Sequence, residues 1–365
     1  MKTLIKTISI ICTCCLVFLM TSCVTPLKEV EGAEVANWQG NKKAAVSLTF
    51  DDWSSGQFAN AVPELNKRNM PGTFYIYTNN VSNWSNVVKT ASEGHEIGNH
   101  SVSHCCTGEL GEGIREHQYE SEVLGAKKIL EKHIPRIYTF CYPYGLNYDV
   151  SSFHDFLRET GHIAARSVIE PDPIHLSYDF AQEDDDYFRL RTANIESYFT
   201  SVPEKYATFQ EVTEDDFARY TQRITDVIDG GGYLTFTYHG IDCEDWAWAN
   251  ITTDLFREYL DILENYRDDL WVATVADAIK YHRQVKSGTK IEEVKAPSKD
   301  KWVIRLTHGL EDKETFNQPM TIMLPTNGKE YKKITQNGQS LPFTVSDGTI
   351  MFDAVPDGSN IVLEI

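Results

Sequence analysis

Hydrophobic positions in this chain fall into two kinds of run. Short runs rich in β-branched, aromatic and small apolar residues occupy 44–49, 72–78, 96–100, 138–141, 163–168, 188–192 and 232–238 and read as strands. Between and after them, apolar residues recur at three- and four-residue spacing over 57–68, 83–93, 113–133, 151–160, 214–228, 253–266 and 275–285, which read as helices. Such alternation predicts an α/β fold with a parallel sheet and helices outside, and seven units predict a barrel. Chemistry in such barrels sits at the carboxyl ends of the strands. Asp51 and Asp52 end the first run, His100 and His104 follow the third, and His239 follows the last.

The pattern changes after residue 285. Lys, Gly, Ser and Pro without helical period predict a linker over 286–300. Beyond it, strand-like runs at 302–306, 320–324, 341–345, 349–352 and 361–365 are separated by Asn327-Gly328, Asn337-Gly338, Asp347-Gly348 and Asp357-Gly358. They predict a small all-β sandwich over 301–365, with nothing catalytic in it. Polar, acidic residues over 23–40 read as a tether, which leaves 41–285 for the barrel.

The amino terminus predicts export. Lys2 and Lys6 precede an apolar run over 8–20, then Thr21-Ser22-Cys23, which reads as a signal peptide over 1–22. The run is short for a membrane span of about 20 residues. The small residues ending in Cys23 resemble a bacterial lipobox, with Met20 where Leu is usual. That resemblance implies a lipid on Cys23 and anchorage to a bacterial membrane, first the outer membrane, on its periplasmic or surface face. Cys105, Cys106, Cys141 and Cys243 remain in the mature chain, with three pairings open and structural roles expected. A net charge of −19 argues against a nucleic-acid partner and fits a neutral or weakly charged substrate.

Two carboxylates closing a buried strand repel each other, so one holds its proton or a cation is near. A helix N-cap pair is the plainer reading of Asp51-Asp52 taken alone. His100 and His104, at i and i+4, can share one face of a helical turn and reach one metal ion. With Asp52 they make two imidazoles and a carboxylate, leaving a position for water. Asp51 is then available to accept a proton, and His239 to protonate a leaving group. Zinc is the first metal for such a set, which cobalt, nickel or iron also suits.

Thr49-Phe50-Asp51-Asp52, His100-Ser101-Val102-Ser103-His104, Tyr142-Pro143-Tyr144-Gly145 and His239 resemble the polysaccharide deacetylase family (carbohydrate esterase family 4) over about residues 42–283, and Gly72-Thr73-Phe74-Tyr75 resembles its second strand. The resemblance implies an irregular (β/α) barrel with about seven strands. It implies Asp51 as general base, Asp52, His100 and His104 as metal ligands, His239 as general acid and the Tyr144 backbone N–H as an oxyanion donor. The implied reaction is attack of a metal-bound water on an N- or O-acetyl group of a glycan.

Several positions depart from the family pattern. Trp53 stands where Gly is usual and implies a bulkier site rim; Thr237 stands where a pocket-lining Leu is expected. Cys141 takes the place of an Arg that pairs with the base, so Asp51 is expected to have a raised pKa unless Arg166 substitutes. The family's Asp-Trp motif has no clear match, with Glu170 and Asp172 nearby. Trp246 and Trp248 read as a sugar-stacking wall or as a loop core, and Glu183–Asp186 as a solvated loop. Two other functions stay open: an amidase acting on a small non-glycan molecule, since the same fold and metal site serve other C–N hydrolyses, and, given the missing Arg and Asp-Trp motif, a catalytically impaired glycan-binding surface lipoprotein. Retention of both a base and an acid weighs against the second.

Overall fold

The computed structural model describes residues 27–105, 113–194, 213–243, 247–296 and 298–365. The expected signal peptide, Cys23, Cys106 and Trp246 lie outside them. Two short strands, β1 (Lys28–Glu29) and β2 (Glu34–Val35), come first. The chain then alternates β3 (Ala44–Asp51), α1 (Val62–Lys67), β4 (Gly72–Ile76), α2 (Trp84–Ser92), β5 (Glu96–Asn99), α3 (Gly125–Leu130), β6 (Thr139–Cys141), α4 (Ser151–Glu159) and β7 (Ala164–Arg166). After β8 (Thr192–Asn194) follow α5 (Glu214–Gly230), β9 (Tyr233–Tyr238), α6 (Thr253–Glu264), β10 (Leu270–Val272) and α7 (Val275–Lys286).

Strands β7-β6-β5-β4-β3-β9-β8 form a parallel sheet in that order. Leu190, just ahead of β8, bridges Arg166, so the sheet nearly closes into the seven-stranded barrel the alternation predicts. The sixth strand lies at Thr192–Asn194, a few residues beyond the expected run. Strand β10, paired to the start of β3, went unpredicted because Leu270-Trp271-Val272 is only a brief pause between two helical patterns.

Alternation along the strands separates two environments. Val46, Leu48 and Phe50 of β3 face the helices and join Leu65, Phe74, Phe236 and Phe256 in one apolar core. Ser47, Thr49 and Asp51 take the barrel side. There Thr49 Oγ1 donates to Phe236 O (2.9 Å), Thr192 Oγ1 to Thr235 O (2.9 Å) and Tyr233 OH to Ser47 Oγ (2.8 Å). Thr237, expected to line a pocket, bonds Thr192 through their hydroxyls (2.7 Å). These bonds satisfy the polar groups that β3, β8 and β9 turn into the interior.

The carboxyl-terminal segment comprises β11 (Thr289–Val294), β12 (Lys301–His308), β13 (Met320–Pro325), β14 (Lys333–Gln336), β15 (Gln339–Leu341), β16 (Phe343–Ser346), β17 (Thr349–Ala354) and β18 (Asn360–Glu364). Two antiparallel sheets, β1-β11-β12-β18-β14-β15 and β16-β17-β13-β2, make the expected all-β unit. Its boundaries differ from those read in the sequence. The segment read as a linker contains β11, in which only Ile291 is buried, so its charged positions hid a strand. The segment read as a tether supplies β1 and β2, one edge strand to each sheet.

Trp38, fully buried, locks the two units together. Its Nε1 donates to Gly231 O (2.8 Å), and its ring packs against Tyr233, Trp271, Tyr281 and His282. Tyr281 OH donates to Ala36 O (2.9 Å) and accepts from Thr321 N–H (3.2 Å). These contacts gather at the amino ends of β9 and β10, so the sandwich closes the end of the barrel opposite Asp51.

Candidate active site

The end of β3 carries unusual backbone. Asp52 and Trp53 have φ of 75° and 60°, a left-handed pair that is costly without glycine and turns the chain sharply out of the strand. Side-chain bonds hold it there. Asn80 Nδ2 donates to Asp52 O (2.7 Å), while Gln57 Nε2 bridges Asp51 O and His239 O (2.8 Å to the latter). Gln57, fully buried between two motifs, was missed by sequence reasoning, since an amide in a helical segment carries no signal of its own. Trp53 turns away from any rim and packs, 5 % exposed, against Phe58 and Phe74, which corrects the expectation of a bulkier entrance.

Asp52 Oδ1 lies 3.6 Å from His100 Nε2 and 3.5 Å from His104 Nε2, and it is buried without a hydrogen-bond partner. The ligand atoms of one tetrahedral zinc ion stand roughly 3.3 Å apart, given metal–ligand bonds of about 2 Å. An orphaned anionic oxygen facing two imidazole nitrogens at this spacing fits a divalent cation. The two histidines meet without a helix: Ser101 (φ 71°) and His104 (φ 51°) are left-handed, and His104 N–H donates to Ser101 Oγ (2.9 Å). The i,i+4 spacing therefore works through a loop rather than the helical turn expected.

His100 Nδ1 bonds Cys141 O (2.8 Å), which fixes the ring with Nε2 toward Asp52, the outer bond typical of metal-ligating histidines. Burial opposes charge on His100, but Cys141 and the Asp52 and Asp51 carboxylates outweigh it and raise its pKa well above the usual value. For His104, burial and the neighbouring His100 lower the pKa to about 4, so this ring is neutral at pH 7. Burial pushes the Asp52 carboxyl up, yet the neighbouring His100 and the charge of His239 carry it well below the carboxylate range.

Asp51, 2 % exposed, accepts from Arg166 Nη2 at Oδ1 and from the Cys141 thiol at Oδ2 (3.6 Å). Burial raises its pKa, but the fully buried Arg166, then His100 and His239, more than offset that and hold it below the usual range. The raised pKa expected from Cys141 does not occur, because the cation arrives from β7 instead of β6. His239, after β9, places Nε2 3.9 Å from Asp51 Oδ2 and 4.0 Å from Asp52 Oδ2. Tyr144 (φ 57°) sits in the turn after β6, its ring exposed and 4.4 Å from that of His104. Backbone bonds of that turn run from Gly145 N–H to Tyr142 O and from Leu146 N–H to Pro143 O, leaving the Tyr144 N–H outside them.

Other residues singled out in the sequence bond elsewhere. Asp172 pairs with His175 and Arg191, and Glu170 accepts from Asn194 N–H (2.9 Å). Asp184 and Asp185 pair with Arg158, and Asp184 also with Arg283, so the acidic run is an ion-pair cluster rather than a solvated loop. Cys105 is disulfide-bonded, while Cys141 and Cys243 are buried free thiols.

Barrel and site together define a class. Residues 39–162 match the family model described as polysaccharide deacetylase. It is 33 % identical over 110 residues to a Bacillus cereus peptidoglycan-N-acetylglucosamine deacetylase, covering 30 % of this chain and 38 % of that protein. It is also 24 % identical over 343 residues to a Bacillus gellan lyase, covering 90 % of this chain and 13 % of the lyase. The chain thus spans well under two thirds of either relative. A Mycobacterium smegmatis crystal structure assigned to the polysaccharide deacetylases shares the fold, with TM-score 0.51 and 18 % identity over 75 % of this chain and 99 % of that one.

Proposed function

We propose that this protein is a metal-dependent hydrolase that removes N- or O-acetyl groups from a glycan. The observation that carries the reading is the unpaired Asp52 Oδ1 facing His100 and His104, with Asp51 and His239 beside it. Asp52, His100 and His104 would hold the cation, zinc first, with cobalt, nickel or iron as alternatives. Such a cation supplies Lewis acidity toward an acyl oxygen and acidifies water.

The chain's own groups do the rest. Asp51, kept ionised by Arg166, accepts the proton of the attacking water at its carboxylate. The Tyr144 N–H donates to the oxyanion that develops as the acyl carbon becomes tetrahedral. His239 gives a proton from Nε2 to the departing amine or alcohol. A base and an acid within reach of one centre favour turnover over binding alone. The basic start, the apolar run over 8–20 and Cys23 support an exported, lipid-anchored protein.

The test is acetate release from chitooligosaccharide, peptidoglycan and acetylated xylan, with zinc or cobalt, by wild type and Asp51→Asn. Release that needs metal and fails in the variant is the expected result. No release from any of the three by metal-loaded protein would overturn the glycan reading and favour a small-molecule amide substrate.

A further inference from the structure

Arg166 reaches Asp51 across the barrel interior, and something must hold a fully buried guanidinium in that place. Two contacts besides Asp51 do so. Arg166 Nη1 donates to Ser167 O (3.0 Å), and Cζ lies 5.1 Å from the centroid of the Tyr75 ring. Tyr75 sits opposite Asp51 in the β3–β4 register and opposite Gly98 in the β4–β5 register. A Cβ on Gly98 would stand 2.4 Å from Tyr75 Cδ1 and 2.5 Å from Cε1. Gly98 is thus the vacancy that lets the Tyr75 ring lie across β5, inside the barrel and against the guanidinium. Tyr75 is fully buried, so no water competes for the cation on that side.

We propose that Tyr75 is a positioning residue for the base: its ring electrons hold the Arg166 guanidinium, and Arg166 in turn aims and charges Asp51. A guanidinium within about 6 Å of a ring centroid is attracted by the ring quadrupole, most strongly when both are desolvated, as here. Glycine at 98 is required by the ring rather than by backbone conformation, since residue 98 is ordinary strand. This inference deepens the deacetylase reading above and rests on it for its catalytic consequence, but not for the contact itself.

The experiment replaces Tyr75 with Phe and then with phenylalanines carrying two, three and five ring fluorines, which drain the ring's negative face at nearly constant shape. Two readouts follow: kcat and KM for acetate release, and the Arg166 guanidinium N–H resonances in arginine-labelled protein. Tyr75→Phe should keep kcat within about twofold. Increasing fluorination should lower kcat in graded steps, to about a tenth for five fluorines, with KM unchanged and the Arg166 resonances moving in step. Tyr75→Leu made in an Arg166→Met background should cost no further activity, since the ring acts only through the guanidinium. A flat kcat across the series, in an enzyme whose activity still depends on Arg166, would overturn the proposal. Should wild type release no acetate, the deacetylase reading fails, and the resonances alone decide: unmoved by five fluorines, they overturn the ring–guanidinium contact; moved in graded steps, they support it.

Discussion

Arg166, the last residue of β7, donates to the carboxylate of Asp51, the last residue of β3, with neither group open to solvent. Removing one partner of such a pair leaves a buried charge unmatched, at about 3–5 kcal/mol. Arg166→Met should lower thermal stability by that order and reduce kcat roughly a hundredfold, the scale of a disabled general base, with KM little changed. Arg166→Lys should recover stability more than kcat, because an ammonium lacks the planar fork. Calorimetric melting and acetate-release kinetics check both; an Arg166→Met protein with wild-type kcat would refute the role.

Cation binding should release protons. The surroundings of His100 raise its pKa well above the usual value, and a nitrogen that ligates must be bare. Zinc titrated into metal-free protein at pH 7 should therefore acidify a weak buffer, and affinity should fall as pH drops. Isothermal titration in two buffers of different ionisation enthalpy measures the proton count. Asp52→Ala should remove high-affinity binding and lower the melting temperature of the metal-free protein at pH 7, since the surrounding imidazoles hold that carboxylate well below the usual range.

Acid should destabilise the barrel through buried neutral histidines. Burial lowers the pKa of His95 to about 4, and its Nδ1 accepts from Gly72 N–H (3.0 Å), which only the neutral ring allows. In the unfolded chain the ring titrates near its ordinary value of about 6.5. The unfolded state thus binds the extra proton between these values, so stability from this residue is complete above about pH 6.5 and is lost as pH falls toward 4. The full loss is about 3 kcal/mol. His95→Gln should flatten the melting temperature in that window; an unaltered pH profile would count against the assignment.

The sandwich should be inseparable from the barrel. Trp38 and Tyr281 knit the amino-terminal strap, α7 and β13 into a core shared by both units. Trp38→Ala should cost about 3–5 kcal/mol. A chain ending at residue 288 should fail to fold cooperatively. Expression of a soluble, two-state barrel without 289–365 would show instead that the units are independent.

The strand–helix alternation and the charged residues at three strand ends determined the barrel and the site's main members, because period and residue type are local properties that survive in one dimension. Asp51, Asp52, His100, His104 and His239 were all legible in that way, and the structure gathers them as the strand ends require. Charged strands were not legible. Lys28–Glu29 and Thr289–Val294 carry almost no apolar pattern, and only pairing with a neighbour makes them strands.

Tertiary structure decided what surrounds Asp51. Cys141 suggested a carboxylate without its usual cation and left Arg166 as the candidate substitute; β6 and β7 are neighbours in the sheet, Cys141 pairs in register with Arg166, and Arg166 reaches Asp51. A charge lost from one strand can be supplied from the next, since what Asp51 senses is distance through a low-dielectric interior, not separation along the chain. The same holds for Gly98 and Tyr75. Read along the sequence they are an ordinary glycine and an ordinary strand aromatic. The pairing of β4 with β5 brings them together, and the missing Cβ of Gly98 makes room for the ring beneath Arg166.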